Sequence, residues 1–266
     1  MLQELGFAAV GLLASRLSEE AFSAHTIMMQ AFFWLSSPLF GCATATEVRI
    51  GNHLGAGDAR AARLVAVLSF AMMGTLGILV GSSMILLRQL LGRLFTTEHA
   101  VLHLVAQIAP ITGGAYILVC ALFACMGILG GQGRPMPAAG AYLIGAFALS
   151  PTAGFLLGYV APPRLRCFPF AFCEDDSQLV GIWWGFGFGY FVTTALSLAA
   201  VWFSDWECLA AEARKRSEVG AAGAGGAAEP CPSAEVEPAS SIGGHEASTP
   251  GAGAGMRAPL IGGEAT

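Results

Sequence analysis

The chain has 266 residues, of which 55% are hydrophobic and only 12% are charged, whereas a soluble domain carries about 25% charged residues. The mean hydropathy is +0.64, and the net charge of −5 says little about partners; the scattered basic residues and the single lysine give no sign of nucleic-acid binding. Seven cysteines without paired metal spacing give no sign of a metal site, and we predict an integral membrane protein that is neither an enzyme nor a cofactor carrier.

The N-terminal segment, residues 2–13, is apolar apart from Gln3 and Glu4. Twelve helical residues span about 18 Å, which is too short for a bilayer core of about 30 Å. Met1 is not followed by the basic region of a signal peptide. We interpret this segment as the second half of a span whose first half is missing, so that membrane entry relies on the internal spans.

Five further segments have the length and apolar composition of membrane-spanning helices. They are residues 21–46, 64–87, 101–129, 138–160 and 179–203. The alternative, a set of buried core helices in a large soluble protein, is disfavoured by five such runs in one short chain. Their many Gly and Ala residues suit close helix packing in lipid. The sequence therefore predicts an all-α membrane protein with five full spans and one partial N-terminal helix.

The connection after the first full span carries a glycine-rich motif, VRIGNHLGAGD, at residues 48–58. Its glycines and asparagine predict a tight turn between two helices. A phosphate-cradling loop is the alternative, but no strand precedes the motif and no Gly-Lys-Ser/Thr follows it.

Three segments after the fourth predicted span lie outside the apolar runs. The loop 161–178 contains Cys167 and Cys173, and whether they form a disulfide stays open. Residues 205–216 have good helix formers, with acids first and bases last. From 217 to 266 Gly, Ala, Ser, Pro and Glu dominate, which predicts a disordered cytosolic tail after a bundle of residues 1–216.

The distribution of Lys and Arg among the loops predicts the orientation. Seven basic residues lie on one side of the membrane and five on the other. This bias places the loops 47–63 and 130–136 and the C-terminus in the cytosol. The plasma membrane and internal membranes such as the vacuolar membrane both stay open as locations.

Several stretches, in order, resemble the second half of eukaryotic multidrug and toxic compound extrusion (MATE) transporters. VRIGNHLGAGDARAAR is similar to the loop after the family's eighth helix, and LFTTEHAV with LVAQIAPI resembles its ninth-to-tenth connection. GILGGQG resembles the end of helix ten, where the family usually has Arg in place of Gly130. GIWW and residues 205–216 resemble helix twelve and its cytosolic exit. The resemblance covers residues 2–216, and Arg49, Gly51, Asn52, Gly55 and Gly57 carry its loop motif.

The resemblance implies two six-helix lobes around a central cavity, with export of organic cations or other xenobiotics in exchange for protons or sodium. Only helices seven to twelve are matched here, so the expected partners are the lipid bilayer, a small cargo, a coupling ion and a missing N-terminal lobe or second chain. The first hypothesis is therefore a secondary transporter that is incomplete as given. The alternative is a non-transporting half-transporter or membrane interaction partner.

Glu4 is the one acid in the apolar segments and occupies a setting similar to the family's helix-seven coupling glutamate. Desolvation raises the pKa of a glutamate, which would allow proton exchange near neutral pH, although a residue this close to the N-terminus is also readily solvated. The family's partner acid in helix ten falls on Val119, which cannot carry a proton. A further glutamate of animal members falls on Met29 or Gln30. Gln30 is a candidate substrate-facing residue, and a helix–helix hydrogen bond is the alternative.

The aromatic and imidazole side chains at three places in the spans have interpretations that require no ligand. His25 lies near a span end, where solvated imidazoles are common, and a pH-sensing role is the alternative. Trp183 and Trp184 fit an interfacial anchor. Phe32 in the first full span fits packing or a lipid contact.

Overall fold

The computed structural model describes residues 2–161 and 177–222, with side chains from 7–161 and 178–218. The described residues belong to one compact unit and contain no β-strand. Their helices are, in chain order, α1 (Leu2–Ala14), α2 (Glu19–Gly55), α3 (Ala59–Leu86), α4 (Arg88–Arg93), α5 (His99–Gly131), α6 (Pro135–Val160), α7 (Ser177–Trp202) and α8 (Trp206–Ala222). Within α6, Leu143–Leu149 and Leu156–Val160 have wider, π-helical turns.

Five of these helices, α2, α3, α5, α6 and α7, are long and apolar enough to cross a membrane. They coincide with the five predicted spans and confirm the all-α class. Helix α2 extends nine residues beyond the predicted span, to Gly55, and at 37 residues it is about 55 Å long. The predicted span is shorter because hydropathy identifies only the apolar part of a helix, and the polar turns at the end of α2 fall outside that part.

Short polar residues begin three of the helices. The Ser18 side chain accepts a hydrogen bond from the Ala21 N–H (3.1 Å), and Asp58 accepts one from the Ala61 N–H (2.9 Å). Asp205 accepts from the N–H groups of residues 207 and 208 at the start of α8. Each cap satisfies donors that the first helical turn leaves without an intrahelical partner.

Helix α5 occupies the centre of the bundle and packs against α2, α3, α4, α6 and α7. In its most apolar stretch 72% of the residues are buried, against 28% in α3 and in α6. Helix α3 instead exposes a row of large aliphatic side chains, among them Leu64, Leu68, Ile78 and Leu79. Such a surface matches lipid, since a bilayer core offers no polar partner.

Helices α6 and α7 pack with their backbones in direct contact, and we call this contact the glycine seam. It is lined by Gly145, Gly154 and Gly158 on α6 and by Gly181, Gly185 and Gly189 on α7. A Cβ added at Gly185 would meet the backbone of Gly154, and one at Gly189 would lie 2.7 Å from the Gly145 carbonyl oxygen. Small residues four apart allow this approach, which replaces apolar burial as the main source of helix affinity in lipid.

Hydrogen bonds between helices complete the bundle. The Tyr159 hydroxyl donates to the Leu13 carbonyl (2.8 Å), which attaches α1 to α6. The Tyr116 hydroxyl donates to the Leu35 carbonyl (2.7 Å), and Thr194 donates to the Leu118 carbonyl (3.2 Å). Each bond gives a buried hydroxyl a partner that lipid cannot supply.

Helix α8 confirms the helix predicted at 205–216 and continues six residues further, to Ala222. The predicted start of the tail, residue 217, therefore lies within its last turns. Residues 223–266, as well as Cys167 and Cys173, lie outside the described residues, so the disordered tail and the disulfide stay predictions.

Candidate functional site

The two residues predicted to handle ion and substrate lie on different helices. Glu4 belongs to α1, but its side chain lies outside the described part of the chain. Gln30 is exposed on α2, and no hydrogen bond to a described residue holds its side chain. Its alternative role, a helix–helix hydrogen bond within the bundle, is therefore absent from the described residues, and its substrate contact stays a prediction.

The predicted loop motif forms the last turns of α2 and the link to α3. Arg49 and Asn52 are exposed on α2, and the Asn52 carbonyl accepts the N–H of residue 56 at the helix end. A Cβ at Gly51 would lie 3.7 Å from the Gly131 carbonyl oxygen, which marks close contact with α5. The predicted tight turn is confirmed but is short, because helix continues to Gly55 and the chain reverses at Gly57.

Helix α8 lies across this turn and across the equivalent turn between α5 and α6. Gly57 and Gly133 have φ of +78° and +71°, in the left-handed region that glycine adopts without strain. The Arg214 side chain packs against Gly57, and the Arg216 guanidinium lies beside Gly133. We call this side of the bundle, with both turns and α8, the motif end.

The interpretations of His25 as a solvated imidazole and of Trp183 as an interfacial anchor are wrong. His25 is 4% exposed and packs on the Trp183 ring, with ring centroids 5.5 Å apart. Trp183 is fully buried against α2 and is therefore not an interfacial anchor. Sequence position near a span end did not reveal that the side chains of His25 on α2 and Trp183 on α7 pack together. Phe32 is buried against Tyr116 and Phe186, and Val119 is a buried apolar residue of the same core.

An open cleft of about 440 Å³ lies at the motif end between α2, α5 and α6. This volume is within the range of about 300–1,000 Å³ typical of small-molecule sites. Each helix contributes four residues at the spacing i, i+3, i+4, i+7, so each presents one face to the cleft. The lining residues are Phe40, Ala43, Thr44 and Glu47 from α2, Phe123, Met126, Gly127 and Gly130 from α5, and Pro135, Ala138, Ala139 and Tyr142 from α6.

The cleft combines aromatic walls with one charge. Phe40 and Phe123 form an edge-to-face pair with centroids 4.7 Å apart, and Tyr142 on α6 also lines the cleft. Glu47 is the charged residue among the described lining residues. Its carboxylate has no hydrogen bond or ion pair to any residue that the structure describes.

Glycine at position 130 creates the space that the Glu47 carboxylate occupies. A Cβ added there would lie 2.8 Å from the Glu47 Cδ and 3.1 Å from both carboxylate oxygens. Deeper in the cleft, a Cβ at Gly127 would lie 2.6 Å from the Ala43 carbonyl oxygen, so α2 and α5 touch at its base. The arrangement places one exposed anionic group beside aromatic lining residues.

Sequence reasoning missed Glu47 because it is one residue beyond the predicted span 21–46. The signal was present in the spacing of Phe40, Ala43, Thr44 and Glu47, which places an aromatic ring and an acid on one helical face. The participation of α5 and α6 depends on the packing of three helices and is not visible in any one segment.

A second depression, of about 620 Å³, lies at the opposite end between α4 and α5. Its lining residues Arg93, His99 and His103 are exposed, and it contains no aromatic wall comparable to Phe40 and Phe123. Among the described residues, no group of three His, Cys, Asp or Glu side chains could hold a metal ion. The cleft at Glu47 is therefore the candidate binding site.

An apolar helical bundle with five candidate membrane spans defines a multi-pass membrane protein of helical type, and a comparison with known families makes the assignment specific. The family described as MatE matches residues 1–156, more than half of the chain. The chain belongs to this family of multidrug and toxin extrusion transporters, as its motifs predict.

Relatives of known name agree with this assignment. Protein DETOXIFICATION 11 of Arabidopsis thaliana is 30% identical over 200 residues, which cover 74% of this chain and 38% of the relative. Multidrug and toxin extrusion protein 2 of Homo sapiens is 27% identical over 179 residues, which cover 66% of this chain and 27% of the relative. The chain thus spans well under half the length of these relatives.

Solved structures agree on the fold. The crystal structure of the eukaryotic MATE transporter AtDTX14 superimposes with a TM-score of 0.68 at 25% identity, covering 80% of this chain and 45% of that one. A MATE structure in the bent conformation gives a TM-score of 0.65 at 20% identity and supports the fold alone.

Proposed function

We propose that the chain forms the C-terminal lobe of a secondary transporter that exports organic cations or other xenobiotics in exchange for protons or sodium. The observation that carries this proposal is the extent of the structural match, since 80% of the chain superimposes on 45% of a MATE transporter. A share of about half is what one lobe of a two-lobed transporter would cover. We place the motif end in the cytosol on the basis of the loop charges.

Transport in this proposal requires a first lobe, from a second chain or a longer form of this one. Alternating access moves one repeat against the other around a shared site, which a single repeat cannot do. Glu4 is the proposed coupling residue, because an acid within an apolar span exchanges protons at a pH set by its desolvation.

A second candidate function is that of a membrane protein that binds a partner without transport. Val119 favours it, because this buried aliphatic residue occupies the position where the resembled transporters have their second acid. Ion coupling by the chain then depends on Glu4 alone.

Proteoliposome uptake of a fluorescent organic cation, driven by an imposed proton or sodium gradient, tests both candidates. We expect no uptake by the chain alone and uptake when it is combined with the first lobe of an Arabidopsis relative. Glu4→Gln should abolish that uptake, whereas the matched change Glu98→Gln, on an exposed acid at the start of α5, should not.

One result would contradict the coupling role of Glu4, and another would contradict the transporter proposal. Uptake that persists in Glu4→Gln removes the coupling role of this residue. Absence of uptake from a folded and stably assembled two-lobe complex favours the partner-binding candidate.

A further inference from the structure

The Glu47 cleft has the chemical properties of a site for an organic cation. Its walls offer the edge-to-face pair of Phe40 and Phe123 at 4.7 Å, together with the ring of Tyr142. Aromatic faces attract cations through the ring quadrupole, and they also bury flat apolar bodies. A ligand that contacts both the aromatic side chains and the Glu47 carboxylate must therefore carry a positive nitrogen on an apolar framework.

The position of the acid strengthens this requirement. Glu47 lies over Gly130, where a side chain would come within 2.8 Å of its Cδ. No basic group is found among the described lining residues to neutralise it. Because the Glu47 side chain is exposed, water screens its attraction for a cation, and a cation that also buries an apolar body against the aromatic lining residues gains the most.

Other ligand classes fit the cleft less well. A divalent metal ion requires several oxygen ligands, and the cleft supplies a single carboxylate. An anion would meet repulsion from Glu47. A lipid chain would match the walls but would gain nothing from the charge.

We propose that this cleft binds a small amphipathic organic monocation, with its charged nitrogen at Glu47 and its apolar body against Phe40, Phe123 and Tyr142. The role of the cleft rests on the proposed function: it would bind the substrate at the cytosolic end of the lobe before transport. Binding itself requires neither a gradient nor a second lobe. Glu47 sets specificity for charge, and the aromatic walls set specificity for shape.

The test is equilibrium binding to the full chain in lipid nanodiscs, with empty nanodiscs subtracted. The probe is 10-methylacridinium, a flat monocation, and neutral acridine at pH 7.5 is its uncharged counterpart. We expect saturable binding of the cation and an affinity weakened about fivefold in Glu47→Gln, the upper scale of one exposed ion pair. Glu98→Gln should bind as the unmodified chain does, and acridine should bind equally to all three proteins.

Gly130→Arg provides an independent variant, because it introduces a positive group directly beside the Glu47 carboxylate. We expect it to abolish cation binding while the thermal midpoint stays close to that of the unmodified chain, since the Glu47 side chain can move aside. This variant keeps the inference testable if Glu47→Gln folds poorly.

Absence of cation binding to the unmodified chain would overturn the inference, as would equal affinities in Glu47→Gln and Glu98→Gln. Equal affinities for the cation and for acridine would show that the charge of Glu47 does not select the ligand, and would also overturn the inference. Intact binding without transport by the two-lobe complex would contradict the proposed function alone. Intact transport without binding in the cleft would contradict this inference alone.

Discussion

The glycine seam and the Glu47 cleft use the same residue type for opposite purposes. In the seam, Gly154 and Gly185 bring two backbones into contact and leave no space between α6 and α7. In the cleft, Gly130 faces the mobile end of a glutamate side chain, and the missing side chain leaves room for a carboxylate. The surroundings of a glycine, and not its spacing along a helix, decide whether it serves packing or binding.

The comparison is informative because both regions have similar sequence patterns. Gly181, Gly185 and Gly189 are four apart, and Gly127 and Gly130 are three apart, so each set occupies one helical face. A backbone opposite a glycine cannot move without its helix, whereas a side chain can change rotamer at a small energy difference. Substitutions to alanine should therefore separate the two regions by their effects on stability.

The largest effect is expected for Gly185→Ala. The added Cβ would overlap the Gly154 backbone and lie 2.6 Å from the Ala153 carbonyl carbon. Separating α6 from α7 should lower the free energy of unfolding by about 3 kcal/mol, the upper part of the range for overpacking. The yield of monodisperse protein and its thermal midpoint in detergent measure this, and a midpoint within 2 °C of the unmodified chain, about the shift that 0.5 kcal/mol produces, would remove the seam's structural role.

A smaller loss is expected for Gly57→Ala at the turn between α2 and α3. Gly57 has φ of +78°, and an alanine in this conformation costs about 1 kcal/mol. Gly57→Asn is the matched control, since asparagine tolerates left-handed backbone better and should lose less. If both variants have the same thermal midpoint, backbone conformation is not what selects glycine at this turn.

Gly130→Ala tests the cleft and should have a still smaller effect on stability. The Cβ would meet only the Glu47 side chain, so we expect a change below about 0.5 kcal/mol, as for exposed sites. Affinity for 10-methylacridinium should fall nonetheless, because the carboxylate is displaced from its position. A loss of thermal stability similar to that of Gly185→Ala would show that this position belongs to a rigid contact.

No loss of stability, and at most a gain, is expected for Gly187→Ala. A Cβ at Gly187 would have no neighbour within 4 Å, although this residue is only two positions from Gly185. Alanine has the higher helix propensity, so the thermal midpoint should stay constant or rise by the equivalent of up to about 0.8 kcal/mol. A fall would show that the outer face of α7 is covered.

The fold was largely predictable, because membrane spans are encoded in local composition. Residues 101–129 predicted a span, and α5 extends from His99 to Gly131. The loop motif likewise predicted a turn, which is centred on Gly57. These features depend on segments of about 10–30 residues, within which hydropathy and turn chemistry act locally.

The candidate site was less predictable, because it depends on contacts between distant segments. Glu47, Phe123 and Tyr142 lie far apart in sequence and meet only because α5 is central to the bundle. The burial of His25 against Trp183 has the same origin. The sequence alone identified Glu4 and Gln30 through family resemblance, and no observation of the fold decides their roles.

Helix α8 has a mechanical consequence for the whole lobe. It contacts two neighbouring turns, because Arg214 lies beside Gly57 and Arg216 lies beside Gly133. Just before α8 begins, the Ser204 hydroxyl donates a hydrogen bond to the Gln132 side-chain oxygen (3.1 Å). Because one helix contacts both turns, we expect the two turns to keep their positions relative to each other when the lobe moves.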